Sequence, residues 1–201
     1  MTKLFAVALA TAYLFFASYT CSPAIMVNSK EGAVNMERID LRQYDKASNK
    51  QNIDILLEQT PEYSVNCAMA DFIPKKKYAG FNLTKIIPSA EREHIRAWYR
   101  LENNKNEDDY DARFNMTFYQ SREKNHEHMR NFVEWEISAP SAYLSNLKIG
   151  DFALGDTYSI DFIRGNVSVR VMGSHKAKVE IGGLATEIDR QISDILTQNQ
   201  D

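Results

Sequence analysis

Cysteine is scarce in this 201-residue chain, which contains only Cys21 and Cys67. Two cysteines in a chain of this size exclude a disulfide-stapled scaffold, and there is no Cys-x-x-Cys pair to suggest a zinc or redox motif. Polar and apolar residues alternate around Cys67, so that Val65, Cys67 and Met69 share one predicted strand face. We expect Cys67 to be a buried thiol that behaves as a small apolar side chain. A Cys21–Cys67 bridge is the alternative, whereas a catalytic thiol would need a matched histidine that the local sequence lacks.

An excess of basic charge is also missing. The chain has 24 Lys+Arg against 27 Asp+Glu and a net charge of −3, which excludes the electrostatic footprint of a nucleic-acid-binding domain. The basic run Lys75–Lys77 is short and predicts a solvated turn. The sequence has no Gly-x-Ser-x-Gly nucleophile motif and no glycine-rich phosphate loop. It therefore predicts no catalytic residues and no cofactor.

Long hydrophobic runs are absent after the first twenty residues. Lys3 precedes one uninterrupted apolar stretch, Leu4–Ala17. A short apolar run behind a positive charge is typical of a secretory signal peptide, and it is shorter than the ~20 residues that a membrane-spanning helix needs. We predict a signal peptide over residues 1–20, with an uncleaved anchor as the alternative. The folded part is then expected outside the cytoplasm, in the periplasm or cell envelope or secreted.

Cys21 stands directly behind this apolar stretch, where bacterial lipoproteins carry their lipidated cysteine. The preceding residues only partly fit that pattern, because Tyr19 and Thr20 occupy positions that favour small residues. Lipidation of Cys21, which would tether the protein to a membrane, and ordinary cleavage after Thr20 or Ala24 both remain open.

The remainder of the chain divides into two parts. Residues 21–52 are polar and are predicted to be a tether or a poorly ordered lead-in. Residues 53–201 are predicted to form a single α+β domain. Alternation predicts strands over 63–73 and, more weakly, over 78–87. The stretch from Ser89 to Tyr99 fits the start of a helix, but from Ile95 onward it also fits a strand.

The C-terminal half carries the clearest local signals. Alternating apolar residues predict a strand containing Phe114, Met116 and Phe118, and Ser121 can cap the helix that follows. Gly165-Asn166 separates two further alternating stripes and predicts a hairpin. One apolar face then predicts a terminal amphipathic helix, formed by Leu184, Ala185, Ile188, Ile192, Ile195 and Leu196. The predicted fold is α+β, with a mainly antiparallel sheet, helices packed on one face, and a C-terminal helix after the hairpin.

Several short motifs lie in this half of the chain: Gly150-Asp151, Arg164-Gly165-Asn166-Val167, and Leu184-Ala185 with Ile188-Asp189. In these motifs the chain resembles small secreted bacterial lipoprotein domains of uncharacterised function. The resemblance covers roughly residues 112–196. It implies an extracytoplasmic, non-enzymatic domain, and no functional residues carry over from it.

Two clusters resemble metal sites but fail on geometry. His126 and His128 are two positions apart on a predicted helix and point in nearly opposite directions, so they cannot share one metal ion. The acidic stretch Glu107–Asp111 fails an EF-hand register, because Asp109 stands where glycine is required and Asn115 where a bidentate glutamate is required. We therefore predict no metal site.

Aromatic residues offer the best candidate for recognition. Trp98 and Tyr119 are expected on the outer face of the sheet, where they could form a surface for a small ligand or a protein partner. The function predicted from the sequence is that of a non-catalytic extracytoplasmic protein. The alternatives are an extracytoplasmic enzyme with a site assembled from distant residues and an accessory subunit of an envelope complex.

Overall fold

One antiparallel sheet organises the part of the chain that the structure describes. The computed structural model describes residues 46–89, 92–102, 110–136, 148–155, 158–174 and 179–198, all of which belong to one structural unit, Asn35–Asp201. The strands are β1 (Lys77–Tyr78), β2 (Phe81–Ser89), β3 (His94–Leu101), β4 (Ala112–Phe118), β5 (Phe152–Gly155), β6 (Ser159–Arg164) and β7 (Val167–Gly173). The helices are α1 (Lys46–Glu58), α2 (Arg122–Glu136) and α3 (Gly182–Gln198).

The strand order is β1-β2-β3-β4-β7-β6-β5, and every neighbouring pair is antiparallel. In the centre, Phe114 of β4 lies opposite Ala97 of β3 on one side and Val171 of β7 on the other. The predicted α+β class, the antiparallel sheet and the helix after the hairpin are confirmed.

The main core lies between one face of the sheet and α3. Side chains alternate across a strand, so the residues predicted to face inward on β4 all enter this core. Phe114 and Met116 are fully buried there, and Ile188 and Ile192 of α3 pack into the same cluster. The predicted apolar face of the terminal helix is therefore confirmed.

The other face of the sheet contacts α2 at β7. Ser121 caps α2, because its Oγ accepts the backbone N–H of Lys124 at 3.4 Å. The ring of Phe132 lies against the guanidinium of Arg170, with 4.6 Å from the guanidinium carbon to the ring centroid. Arg170 alternates with the core residues of β7, so α2 and α3 lie on different faces of the sheet, and the prediction that the helices pack on one face is wrong.

Helix α1 packs against α2 and begins at Lys46, earlier than the predicted domain start at residue 53. Arg130 of α2 donates to the carboxylate of Asp54 of α1, with 2.6 Å between Nε and Oδ1. Apolar residues of both helices are also buried, namely Ile53, Leu56, Leu57, Met129 and Val133.

The predicted strand over residues 63–73 is wrong. This segment is an irregular extended loop with one 3₁₀ turn, Met69–Asp71. Cys67 is buried and Val65 and Met69 are half-buried, whereas Asn66 and Ala68 are exposed, which explains the alternating sequence. The backbone of Cys67 bonds to the side chain of Asn166 instead of to a neighbouring strand.

The ambiguity at residues 89–99 is resolved in favour of a strand. Strand β2 runs through Pro88 to Ser89, and β3 then pairs with it from His94. Ile95, Ala97 and Tyr99 are buried, as their alternation predicts. The helix alternative is wrong because these apolar residues have a period of two, which a helix cannot bury on one side.

Candidate functional site

The outer face of strands β2–β4 carries a group of cations around one tryptophan. We call Lys85, Ile87, Arg96, Trp98 and Arg113 the basic face. Lys85, Trp98 and Arg113 lie side by side in one row across three strands, and Ile87 lies beside Arg96 in the next row. The odd-numbered residues of β3 enter the core, so Arg96 and Trp98 point to the opposite side of the sheet.

Trp98 is partly exposed and is contacted by a cation. The ammonium nitrogen of Lys85 lies over its indole ring, 4.9 Å from the centroid, a distance at which cation–π attraction operates. Lys85 and Arg96 are exposed. A planar aromatic ring bordered by accessible positive charge is therefore available on this surface.

Carboxylates are absent from these strands. The sequences of β2, β3 and β4 contain no aspartate and no glutamate. Arg96 donates to the amide oxygen of Asn115 at 3.1 Å. Within the described ranges, no ion pair joins Lys85, Arg96 or Arg113 to a carboxylate. Their positive charge is available to an anion, whereas nothing in the row offers a general base or a nucleophile.

Arg113 is held by soft, neutral neighbours. Its guanidinium lies over the ring of Tyr110, 5.3 Å from the centroid, and Nη2 donates to the sulfur of Met172 at 3.8 Å. Its Nε–H has no hydrogen-bond acceptor among the described residues. Arg100 lies on the same face of β3 and has contacts of its own.

Tyr119 lies apart from Trp98. The register pairs Trp98 with Arg113, and Tyr119 follows Arg113 by six residues, roughly 20 Å along an extended strand. Its ring instead contacts the ring of His128, with 5.2 Å between centroids, and burial raises the pKa of its hydroxyl to about 12. The structure therefore does not bring the two predicted binding residues together, and only Trp98 belongs to the basic face.

The two helical histidines have different partners. Nε2 of His126 lies 3.1 Å from the hydroxyl of Thr60, whereas His128 faces Tyr119. Burial, reinforced by the charges of Arg122 and Arg130, lowers the pKa of His126 to about 4. The described residues contain no cluster of three or more side chains that could hold a metal ion.

Cys67 is buried, as predicted, with 1% of its surface exposed. Burial, together with the negative charge of Asp71, raises the pKa of the thiol to about 12. A thiol with such a pKa is not ionised at neutral pH and makes a poor nucleophile. Cys21 lies outside the described residues, so its lipidation and its pairing with Cys67 stay predictions.

Of the acidic stretch near residue 110, only its last carboxylate is described. Asp111 is fully buried, and its Oδ2 accepts the backbone N–H of Leu101 at 2.8 Å. This contact closes the base of the β3–β4 connection and explains why an aspartate stands there. Glu107, Asp108 and Asp109 lie outside the described residues.

A buried ionic cluster is the other notable group of charges. Arg164 at the end of β6 binds Asp189 of α3 with two hydrogen bonds, at 2.8 Å and 2.6 Å, and binds Asp151 at 2.9 Å. The hydroxyl of Tyr63 donates to Asp151 at 2.6 Å, and the backbone N–H of Gly165 donates to its other oxygen at 2.7 Å. The cluster joins the loop after α1, the sheet and α3.

Mutual pairing satisfies the charges of this cluster. The side chains of Asp151 and Asp189 are 2% and 8% exposed. Burial alone would lower the pKa of Arg164, but its bonds to Asp189 and Tyr63 outweigh burial and raise it. Burial raises the pKa of Asp151, and its three donors oppose that shift. The cluster therefore holds three parts of the fold together, and its charged groups are engaged with one another.

Sequence reasoning identified the residues of the basic face and of the buried ionic cluster to different extents. Asp151, Arg164 and Asp189 belong to the motifs that carried the lipoprotein resemblance, but nothing in their spacing showed that they meet. Lys85 and Arg113 were missed as neighbours of Trp98. The sequence alone shows that β2–β4 lack acidic residues. Only the strand register shows that their basic residues lie next to one another on one face.

Comparison with known proteins finds no matching family model, no matching curated sequence and no matching solved structure. In the part of the chain that the structure describes, no helix has the length and apolar character needed to cross a bilayer. The function is therefore argued from the geometry of the chain's own residues.

Proposed function

We propose that this chain is a non-catalytic extracytoplasmic binding protein that presents the basic face to an anionic ligand or partner. Residues 1–20 carry it out of the cytoplasm. A lipid on Cys21 tethers it in the periplasm or cell envelope, or ordinary cleavage after Thr20 or Ala24 without lipidation releases it. The proposal combines the expectation from the N-terminal sequence with the chemistry of the sheet surface.

The basic face is the observation that carries the proposal. Three strands without a carboxylate place Lys85, Arg96 and Arg113 around Trp98, although the whole chain has a net charge of −3. A local cluster of one charge sign on an oppositely charged protein concentrates ligands of the opposite sign. The indole adds a flat apolar surface that charge alone does not supply.

The reactive groups support binding over the enzyme alternative. Catalytic groups usually combine perturbed pKa values with access to a substrate. Here the thiol of Cys67 is buried and protonated, and the carboxylates of Asp151 and Asp189 are bound by Arg164. These groups hold loops and helices together inside the protein.

The accessory-subunit alternative depends on exposed apolar surface. Large apolar side chains that are exposed in the described ranges are Ile73, Ile86, Ile87 and Tyr158. Ile87 lies beside Arg96 on the basic face, whereas Ile86 lies opposite the buried Ala97 and belongs to the other face of the sheet. The apolar exposure of Ile87 therefore adds to the same proposed binding surface.

The binding half of the proposal is tested with immobilised dextran sulfate as a general polyanion. We expect the native protein to bind it with an affinity that falls as salt rises, and the double variant Lys85→Glu/Arg96→Glu to bind at least about tenfold more weakly. The matched control is Lys148→Glu/Arg190→Glu, which changes the total charge equally at exposed sites outside the basic face. Equal weakening in both double variants would show that only net charge matters and would overturn the assignment.

The location is tested by the intact mass of the native protein. A chain that begins at Cys21 with added acyl mass, in a membrane fraction, supports the tether. A chain that begins at Cys21 without added acyl mass, or that begins at Ser22 or later, supports release outside the cytoplasm. An intact chain that begins at Met1 and fractionates with cytoplasmic proteins would overturn the extracytoplasmic assignment.

A further inference from the structure

We infer that the basic face docks on the anionic headgroups of a lipid bilayer. The inference rests on the proposed function, because it names the ligand of the same surface. It also commits to one class of anion, a membrane surface, in preference to a soluble polyanion or an acidic protein.

The charge pattern fits a surface that is itself extended. Lys85 and Arg113 lie in one cross-strand row, and Arg96 lies in the adjacent row. Neighbouring strands are about 4.8 Å apart and alternate residues of one strand about 7 Å apart, so the cations spread over an area instead of converging on a point. Several separate phosphates of a membrane surface can therefore each meet one cation of the basic face.

Trp98 distinguishes this face from a purely electrostatic one. Its indole is partly exposed and has the ammonium of Lys85 at 4.9 Å. Tryptophan prefers the boundary between headgroups and acyl chains, because its ring is apolar while its N–H can bond to water or phosphate. A lysine beside it can keep its charge at phosphate level while its methylenes cover the ring.

Ile87 favours a membrane over a soluble polyanion. Its side chain is 38% exposed and lies next to Arg96 in the strand register. A dissolved polyanion such as dextran sulfate offers little apolar surface to an exposed isoleucine beside its charges. A bilayer interface accepts apolar side chains between headgroups while the adjacent cations bind phosphate, as amphipathic surface binders show.

The N-terminal tether makes such docking efficient. A chain held at a membrane through Cys21 meets the lipid surface at a high effective concentration, so even a low affinity of the basic face for lipid is sufficient for docking. In a released chain the same face would have to provide the attachment by itself, and binding would be reversible and sensitive to salt.

The experiment follows the fluorescence of Trp98 on vesicles. The full native chain with Trp135→Phe keeps Trp98 as its only tryptophan. It is mixed with vesicles of brominated phosphatidylglycerol or of brominated phosphatidylcholine, whose bromines quench a tryptophan that reaches the acyl boundary. A lipid anchor would insert equally into both membranes, so the difference in quenching reports docking of the basic face.

We expect strong quenching on the anionic vesicles and little on the neutral ones. On this background, Lys85→Glu/Arg96→Glu should lower the apparent affinity for anionic vesicles at least about tenfold, and Lys148→Glu/Arg190→Glu should change it less than about twofold. Raising the salt to 0.5 M should reduce the quenching. Circular dichroism of each variant shows that its fold is retained.

The outcomes separate the inference from the proposed function. Equal quenching on both lipids, or quenching that the basic-face variant retains, overturns lipid docking. If dextran sulfate binds through the basic face but anionic vesicles do not quench Trp98, lipid docking is wrong and the anion-binding function stands. If neither ligand distinguishes the basic-face variant from its control, both are wrong.

Discussion

The two halves of the sheet use arginine in opposite ways. In the half formed by β5–β7, Arg164 is bound by Asp151 and Asp189, and Arg170 lies 2.6 Å from a carboxylate oxygen of Asp161. In the half formed by β2–β4, Arg113 is contacted by Tyr110 and Met172, which carry no charge. We call these the paired half and the basic half.

Burial explains the difference between the halves. Arg164 is only 18% exposed, and a cation taken out of water destabilises a fold unless carboxylates and hydrogen bonds replace its hydration. Exposed cations such as Lys85 and Arg96 keep much of their hydration and need no partner to be stable. Charge in the paired half therefore serves the fold, whereas Lys85 and Arg96 of the basic half form no ion pair with a carboxylate among the described residues.

The largest expected effect comes from breaking the paired half. Arg164→Met should lower the free energy of unfolding by about 3–5 kcal/mol, because it leaves Asp151 and Asp189 buried without their cation. The matched change in the basic half, Arg113→Met, should cost no more than about 1 kcal/mol. Urea unfolding of both variants measures the two values, and equal losses would contradict the division into halves.

The hairpin turn of the paired half should give the next largest effect. The side chain of Asn166 makes three hydrogen bonds, at 2.8 Å and 2.9 Å to the backbone N–H and carbonyl of Cys67 and at 2.8 Å to the carbonyl of Tyr119. Asn166→Ala should cost about 3 kcal/mol, because it leaves buried backbone groups without partners. Asn115→Ala in the basic half should cost less than about 1 kcal/mol.

The same variant has a chemical readout. Release of the loop should expose Cys67 to an alkylating reagent, and mass spectrometry of the digested protein locates the label at that residue. Labelling of Cys67 no faster than in the unaltered protein would show that Asn166 does not hold this segment.

A pH-dependent change in stability, of intermediate size, is expected from His126 of α2, which contacts Thr60 in the loop after α1. The pKa of His126 is about 4 in the fold against 6.5 for the free side chain, so the folded state favours the neutral ring. Its contribution to stability is complete above pH 6.5 and is lost as the pH falls towards 4, because only the unfolded chain takes up the proton.

His126→Gln removes this titration while keeping a polar group near Thr60. Between pH 7.5 and pH 4.5 the unaltered protein should therefore lose about 2 kcal/mol more stability than the variant. Urea unfolding of both proteins at the two pH values measures the difference. Parallel losses would show that the ring is not protected from protonation in the fold.

The smallest expected effect lies in the basic half. Lys85→Met removes the cation above Trp98, and exposed pairs of this kind contribute about 0.5–1 kcal/mol. Lys85→Arg keeps the charge and should stay within about 0.5 kcal/mol of the unaltered protein. A loss above about 2 kcal/mol in Lys85→Met would show that this lysine supports the fold, which would weaken the contrast with the paired half.

Local patterns were sufficient to predict the elements in which one side faces the core. The alternation of Phe114, Met116 and Phe118 and the helical face around Ile188 are confirmed, since each reflects burial against a single surface. The segment at Cys67 has the same alternation without a partner strand. A period of two reports which side chains are buried, and it does not report where the backbone hydrogen bonds go.

The candidate site was less accessible to sequence reasoning. Trp98 was singled out for its type and expected face, but its partner Tyr119 was chosen without the register that separates them. The neighbours Lys85 and Arg113 come from flanking strands, and strand register depends on the whole sheet. The buried cluster joins Tyr63 to Asp151, 88 positions away, and no local pattern encodes such a contact.

Asn166 lies 99 positions after Cys67, whose backbone it bonds at both the amide and the carbonyl. A ribosome therefore releases the loop long before it releases the hairpin that receives it. Closing so long a span is slow and costs chain entropy before any contact forms. The contact between Asn166 and the backbone of Cys67 therefore cannot form until the final third of the chain has been made.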